Sequence, residues 1–380
     1  MPRSLFLTND FPPRIGGAQS HYWGLIRTLD PADVVVLAPG HRDAAAFDAR
    51  HPYRVVRARE SILLPSPSLL HRAEELIRGE RLDLVQLGHP LPVGLLGPLL
   101  TRRTGRPYLV FLGGAEVTLP AALPGVGSAL RHVLRRASLL VAVSSFTAAE
   151  AHRQAGGETP VAVLRPAIDP GGFLPRDRVG VEATRRDLGV RGPLVVCVGR
   201  LVPRKGQDVL IDALALLTDA YPTVELALIG DGRLHGALHR RARRRGVADR
   251  VRLLGALPAQ EVRRWLRAAD VFASPCRSRW GGREVEGFGL VFAEAALAGL
   301  PVLAGRSGGA PEAVSPGDGG IVVEGGRADE VAAGLGRLLS LTETARRRMG
   351  ERGRRLSLGR HAPAVVGPRY RELLIQAAQG

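Results

Sequence analysis

Short apolar runs recur along this chain, and nearly every one is followed by a stretch with helical spacing. Leu5-Phe6-Leu7 opens the series, and Val34–Ala38, Leu84–Leu87, Tyr108–Leu112 and Leu139–Val143 continue it. These runs do not alternate with polar residues, as a strand with one wet face would, so they suit strands buried on both faces. Helical patterns over 19–29, 71–78 and 146–154 lie between them, and strand–helix alternation of this kind builds a parallel sheet covered on both sides. A second series begins at Leu194–Val198 and runs through 224–229, 252–254, 271–273, 302–304 and 321–323. Its helices are expected around 207–217, 234–245, 258–269 and 328–339. Residues 155–185, rich in turn formers around Arg165-Pro166-Ala167-Ile168-Asp169-Pro170, read as the crossing between the two. At 380 residues the chain is too long for one ordinary core. The expected fold is therefore two doubly wound, Rossmann-like α/β domains with a cleft between them.

Charge narrows the partners. Basic residues number 53 against 36 acidic ones, a net charge of +17. Residues 1–165 hold 19 arginines and 13 acids, and the rest hold 34 basic and 23 acidic residues, so the excess is spread and forms no tail. Such a surface attracts anionic small molecules, nucleic acid or an anionic membrane. Nucleic-acid readers usually add stacking aromatics or a reading motif. Aromatics make up only 4% here and no such motif is present, so no nucleic-acid partner is expected. Cys197 and Cys276 give neither a disulfide framework nor metal-ligand spacing, and no metal is expected. Leu5-Phe6-Leu7 is too short for a signal peptide or a membrane span, which suggests a cytoplasmic protein. The segment 123–140 sets Val126, Leu130, Val133 and Leu134 beside Arg131, His132, Arg135 and Arg136. It fits a surface helix packed on its own domain, or a helix resting on the inner face of the plasma membrane.

The chemistry concentrates between Glu286 and Pro311. Glu286 precedes Gly-Phe-Gly, Glu294 follows eight residues later, and the stretch between them runs into a helix pattern ended by Gly299. A loop that feeds a helix N-terminus offers unpaired N–H groups to a phosphate. Two nearby carboxylates suit hydroxyl groups instead, such as those of sugars and riboses. Together they suggest a nucleotide sugar. Taken singly, each glutamate also has a plain structural reading, as a helix-start charge or a solvated face. One further detail supports the chemical reading: Lys205, within Gly199-Arg200-Leu201-Val202-Pro203-Arg204-Lys205-Gly206, is the only lysine in the chain.

These stretches resemble the retaining glycosyltransferases of family 4, which have the GT-B fold. Glu286 and Glu294 match that family's paired glutamates, Gly199–Gly206 its diphosphate loop, and Ser307-Gly308-Gly309-Ala310-Pro311-Glu312 the loop closing the donor site. The opening Thr8-Asn9-Asp10-Phe11-Pro12-Pro13-Arg14-Ile15-Gly16-Gly17 is similar to that of actinobacterial mannosyltransferases acting on phosphatidylinositol mannosides. The resemblance implies hexose transfer, mannose from GDP-mannose, to a lipid-linked or glycan acceptor, with no cofactor beyond the donor substrate. It implies an N-terminal acceptor domain over 1–166 and a donor domain over 167–361, with a helix at about 362–380 returning to the first. It further implies that Arg200 and Lys205 hold the diphosphate, Glu286 the sugar hydroxyls and Glu294 the ribose. Amides around Phe288, Gly289 and Leu290 would stabilise the leaving diphosphate, and Gly16 and Gly17 would let backbone approach it.

The pattern departs from the family at one position. Where the family commonly carries a histidine linked to the sugar, this chain has Gly113, and His89 and His21 sit in other loops. An alternative expectation follows, a protein that binds nucleotide sugars or a partner without turnover.

Overall fold

The computed structural model describes residues 1–173 and 177–380. Residues 174–176, inside the expected crossing 155–185, and the side chain of Arg178 lie outside the described residues. The chain forms two compact units, one of Met1–Ile168 with His361–Gly380 and one of Asp169–Arg360.

The first unit is built on seven parallel strands: β1 (Ser4–Leu7), β2 (Val34–Ala38), β3 (Arg54–Arg57), β4 (Leu84–Leu87), β5 (Tyr108–Leu112), β6 (Leu139–Ala142) and β7 (Val161–Val163). Their order is β3-β2-β1-β4-β5-β6-β7, with Leu5 beside Val35 and Val85 in register. Successive side chains of a strand point to opposite faces. Leu5 and Leu7 accordingly join one apolar layer with Leu37, Leu87 and Val110, whereas Phe6 joins the other with Val36, Leu84 and Phe111. Both layers are dry because helices cover both sides, as the unbroken apolar runs predict.

The helix Pro363–Gln379 completes the second layer. Its Tyr370, Leu373 and Leu374 are fully buried against the sheet, each leucine contributing about 2 kcal/mol of hydrophobic burial. Tyr370 donates its hydroxyl to Gln86 Oε1 at 2.6 Å, and Gln86 Nε2 donates to Ser4 Oγ at 2.8 Å. A buried polar chain with every step satisfied fixes the register of the returning helix.

The second unit holds six parallel strands: β8 (Leu194–Val198), β9 (Glu225–Ile229), β10 (Val251–Leu253), β11 (Val271–Ser274), β12 (Val302–Gly305) and β13 (Gly320–Val323), in the order β10-β9-β8-β11-β12-β13. The central strands β8, β11 and β12 lie side by side. Loops leaving their C-terminal ends therefore converge at one edge, where open α/β sheets place their ligands.

The sequence reading lacks β3 and β7, and both are edge strands of the first sheet. β3 is framed by Arg54 and Arg57 and only half buried, and β7 has three residues. An edge strand needs less apolar surface, so the signal that marks central strands is weak there. In the segment 123–140, the helix Val126–Arg135 buries Leu130, Val133 and Leu134 within its own unit, leaving Leu123 and Val126 exposed at its start.

Candidate functional site

Three loops of the second unit build the site. The first follows β8, passes Arg200 and turns through a single 3-10 turn, Pro203–Lys205. The second follows β11 and carries Cys276, Arg277 and Glu286. The third follows β12 and carries Ser307, Gly308 and Gly309. They are tied together through backbone: Arg277 N donates to Arg204 O at 2.8 Å, and Gly309 N donates to Glu286 O at 2.9 Å. Glu286 N in turn donates to Ser307 Oγ at 3.1 Å. Gly308 has a φ of +52°, and a Cβ there would collide with the Glu286 carbonyl oxygen, so this close approach demands glycine.

Glu286 is buried at the centre of a charged cluster. Its Oε2 accepts from Arg204 Nη1 at 2.6 Å and from Lys205 Nζ at 2.8 Å, and Cys276 Sγ lies 3.7 Å away. Burial alone would raise the pKa of this carboxyl, but Lys205 and then Arg204 outweigh it and hold Glu286 below the ordinary carboxylate value. Burial would lower Lys205, and Glu286 reverses that, leaving the ammonium more strongly protonated than a free one. Two cations share one carboxylate oxygen, so the cluster keeps an excess positive charge in a dry setting. Such a setting is suited to a diphosphate.

Lys205 and Glu286, which the sequence reading assigns to different parts of a donor, are thus bonded to each other. Arg204 is absent from the sequence-based site. It shares the 3-10 turn Pro203–Lys205 with Lys205, and both side chains reach one oxygen of Glu286, a convergence that residue order does not announce. Arg200 lies apart from the cluster. Its side chain is exposed and makes no hydrogen bond or ion pair with a described residue, while its carbonyl accepts from Gln207 Nε2 at 3.1 Å.

Phe288 and Gly289 are buried and lead into the helix Leu290–Leu297. Gly289 is its N-cap, with φ +80° and no side-chain cap, so the first-turn amides are not met by a capping side chain. Glu294 sits one turn in, half buried, with its pKa raised by burial while Arg263 pulls the other way. A carboxyl raised on folding weakens stability as pH climbs above its ordinary value, because the folded state then gives up a proton it holds more tightly than the unfolded one. Glu294→Gln is therefore expected to raise the thermal midpoint at pH 7 and to leave it nearly unchanged at pH 4. Midpoints by calorimetry at both pH values check this, and an equal shift at the two would contradict it.

Gly16 and Gly17 belong to the first unit, at the start of the helix Gly17–Ile26. Gly113 follows β5. Its amide donates to Glu116 Oε1, as does the Gly114 amide at 3.1 Å, and a Cβ at Gly113 would stand 2.8 Å from that carboxylate oxygen.

The chain belongs to the glycosyltransferases: the model for glycosyl transferases group 1 matches residues 182–356, and that for glycosyltransferase family 4 matches residues 15–171. Among curated proteins it is similar to the GDP-mannose-dependent alpha-(1-6)-phosphatidylinositol monomannoside mannosyltransferase of Mycolicibacterium smegmatis, with 39% identity over 375 residues covering 97% of each chain. The corresponding Corynebacterium glutamicum enzyme for the monoacylated substrate is 36% identical, covering 98% of this chain and 97% of that one. Solved structures share the GT-B fold at low identity. Anabaena Alr3699/HepE in complex with UDP superposes with a TM-score of 0.83 at 23% identity over 98% of this chain and 99% of that one. A glycosyltransferase from Rickettsia africae gives 0.79 at 15% identity over 100% and 99%. No described helix is long and apolar enough to cross a membrane.

Proposed function

We propose that this glycosyltransferase moves mannose from GDP-mannose to a phosphatidylinositol mannoside or a closely similar lipid-linked acceptor. The observation that carries the reading is identity of 36–39% over almost the whole chain to enzymes named for that reaction, so both units are covered together. The chemistry of the site supports it. Lys205, backed by Arg204, supplies positive charge for the donor diphosphate, and the exposed Arg200 is free to fold onto it. Glu286 accepts from sugar hydroxyls and Glu294 from the ribose. Amides at Phe288, Gly289 and Leu290, at a helix N-terminus, stabilise charge on the departing diphosphate. In the first unit, Gly16 and Gly17 leave bare backbone at a helix start, where a phosphate can approach closely. No further cofactor enters this scheme. Displacement with retention lets the leaving phosphate take the acceptor proton, so a side chain at position 113 is not required for turnover.

A lipid acceptor brings the enzyme to a bilayer without a span. Leu123 and Val126, exposed at the start of a helix that also carries Arg131 and Arg135, support a peripheral contact with an anionic surface. The test is transfer of labelled mannose from GDP-mannose into the lipid fraction of actinobacterial membranes. Labelled lipid with the wild-type chain is the expected result. Labelling only from another nucleotide sugar would replace the donor assignment, and binding of GDP-mannose without any transfer would overturn the enzymatic one.

A further inference from the structure

The first unit holds a polar cluster that the donor chemistry does not use. It lies where β1, β4 and β5 end, the ligand-bearing edge of a parallel sheet. Asp10, just past β1, accepts from Gln19 Nε2 at 2.6 Å and has its own amide bonded to Thr8 Oγ1 at 3.0 Å. His89, just past β4, places Nε2 at 3.3 Å from Asp10 Oδ2. The imidazole meets the ring of Tyr22 edge to face, 5.7 Å between centroids, and the Tyr22 hydroxyl donates to the Gly88 carbonyl. His89 is thus held from two sides, by Asp10 and by Tyr22.

The remaining groups say what such a cluster can bind. His21, 7% exposed, keeps Nδ1 without a hydrogen-bond partner among the described residues, and burial, with the neighbouring His89, lowers its pKa to about 4. It is neutral at physiological pH. Glu116 is occupied by the two amides of Gly113 and Gly114 and fills the space beside Gly113. The Asp10 and His89 side chains are 30% and 20% exposed, so a ligand can reach them. A carboxylate facing Nε2 selects the tautomer with hydrogen on that nitrogen and leaves the Nδ1 lone pair as an acceptor. His89 Nδ1 makes no hydrogen bond with a described residue. An acceptor nitrogen fixed in place by a carboxylate suits a hydroxyl hydrogen.

We propose that the Asp10–His89 pair binds a hydroxyl of the acceptor's sugar or polyol head group, with His89 Nδ1 accepting its hydrogen. The assignment rests on the transfer reaction proposed above. It makes His89 a substrate-contacting residue and Asp10 a positioning residue that acts through it.

The test separates acceptor from donor. His89→Ala and His89→Gln are expected to lower kcat/KM for the lipid acceptor about 10-fold, the loss of one hydrogen bond to substrate, with the KM for GDP-mannose unchanged. His89→Asn, whose Oδ1 falls close to the imidazole Nδ1 position, is expected to keep most of the activity. If the pair is only structural, all three lower the thermal midpoint and leave the acceptor's kcat/KM at the wild-type value. That result, or equal activity of the Asn and Gln variants, overturns the proposal. A binding measurement on the full chain stands apart from turnover: addition of a short-chain phosphatidylinositol monomannoside is expected to shift the ¹⁵N resonance of His89 Nδ1 in the wild type. No shift at saturation would overturn the assignment even if transfer occurs. A shift without transfer would uphold it and sink the transfer reading instead.

Discussion

Glu286→Ala is expected to abolish most transfer, by about 100- to 1,000-fold in kcat, the range seen when one preorganised polar group is taken from a reacting centre. Glu286 also balances Arg204 and Lys205 within 2.6 and 2.8 Å in a buried setting. Its loss leaves two cations facing each other without a partner. Breaking a buried pair by removing one side is strongly destabilising, about 3 kcal/mol. The variant should therefore unfold at a lower temperature than the wild type. Added GDP should raise that temperature more than it does in the wild type, because the diphosphate then supplies the missing negative charge. Steady-state rates and thermal unfolding with and without GDP measure both effects. Transfer within about threefold of wild type would sink the role given to Glu286 (about 0.65 kcal/mol of barrier).

The pH behaviour of the same cluster follows from its shifts. The folded carboxyl of Glu286 lies below its ordinary value of 4.5, so its contribution to stability is full above that pH and is lost as pH falls through the lowered value. Lys205 lies above its ordinary value of 10.5, so its contribution is full below that pH and is lost on going higher. The cluster keeps its charges across the whole range between. A change of rate near neutral pH must come from another group.

Central strands were legible in the sequence because two-sided burial writes an unbroken apolar run, as at Val34–Ala38 or Leu194–Val198. Edge strands such as β3 were not, because half-burial leaves room for Arg54 and Arg57 at their ends. The site shows the same division. Loop positions were readable from glycines and from the isolated lysine, since Gly308 is demanded by a backbone contact and Lys205 reaches the buried Glu286. What the sequence could not show is pairing. Nothing in the order of residues says that Arg204 and Lys205 both turn onto one oxygen of Glu286, which lies 82 residues beyond Arg204. Nor does it say that His89 faces Asp10 from the next strand but one in chain order among the central ones. Those contacts are made by β8 lying beside β11 and β1 beside β4, which is tertiary information.

Lys205→Arg is the substitution where charge and shape give opposite expectations, and shape should win. Charge is conserved, so a site needing only a cation would tolerate it. Lys205 is instead a buried point charge: it is 8% exposed, and its target oxygen is shared with Arg204. A guanidinium is planar and wider than an ammonium, and the oxygen it would have to approach already accepts from Arg204. The arginine is expected to crowd Arg204 at that oxygen. In a chain whose other 52 basic residues are all arginine, lysine at this one position fits that constraint. The expected result is a loss of about 100-fold in kcat/KM for the donor, roughly 2.7 kcal/mol, close to that of Lys205→Ala. Calorimetric titration with GDP-mannose alongside steady-state rates decides it. If Lys205→Arg binds and transfers like the wild type while Lys205→Ala does not, the site reads charge alone and the geometry drawn around Glu286 is not what holds the donor.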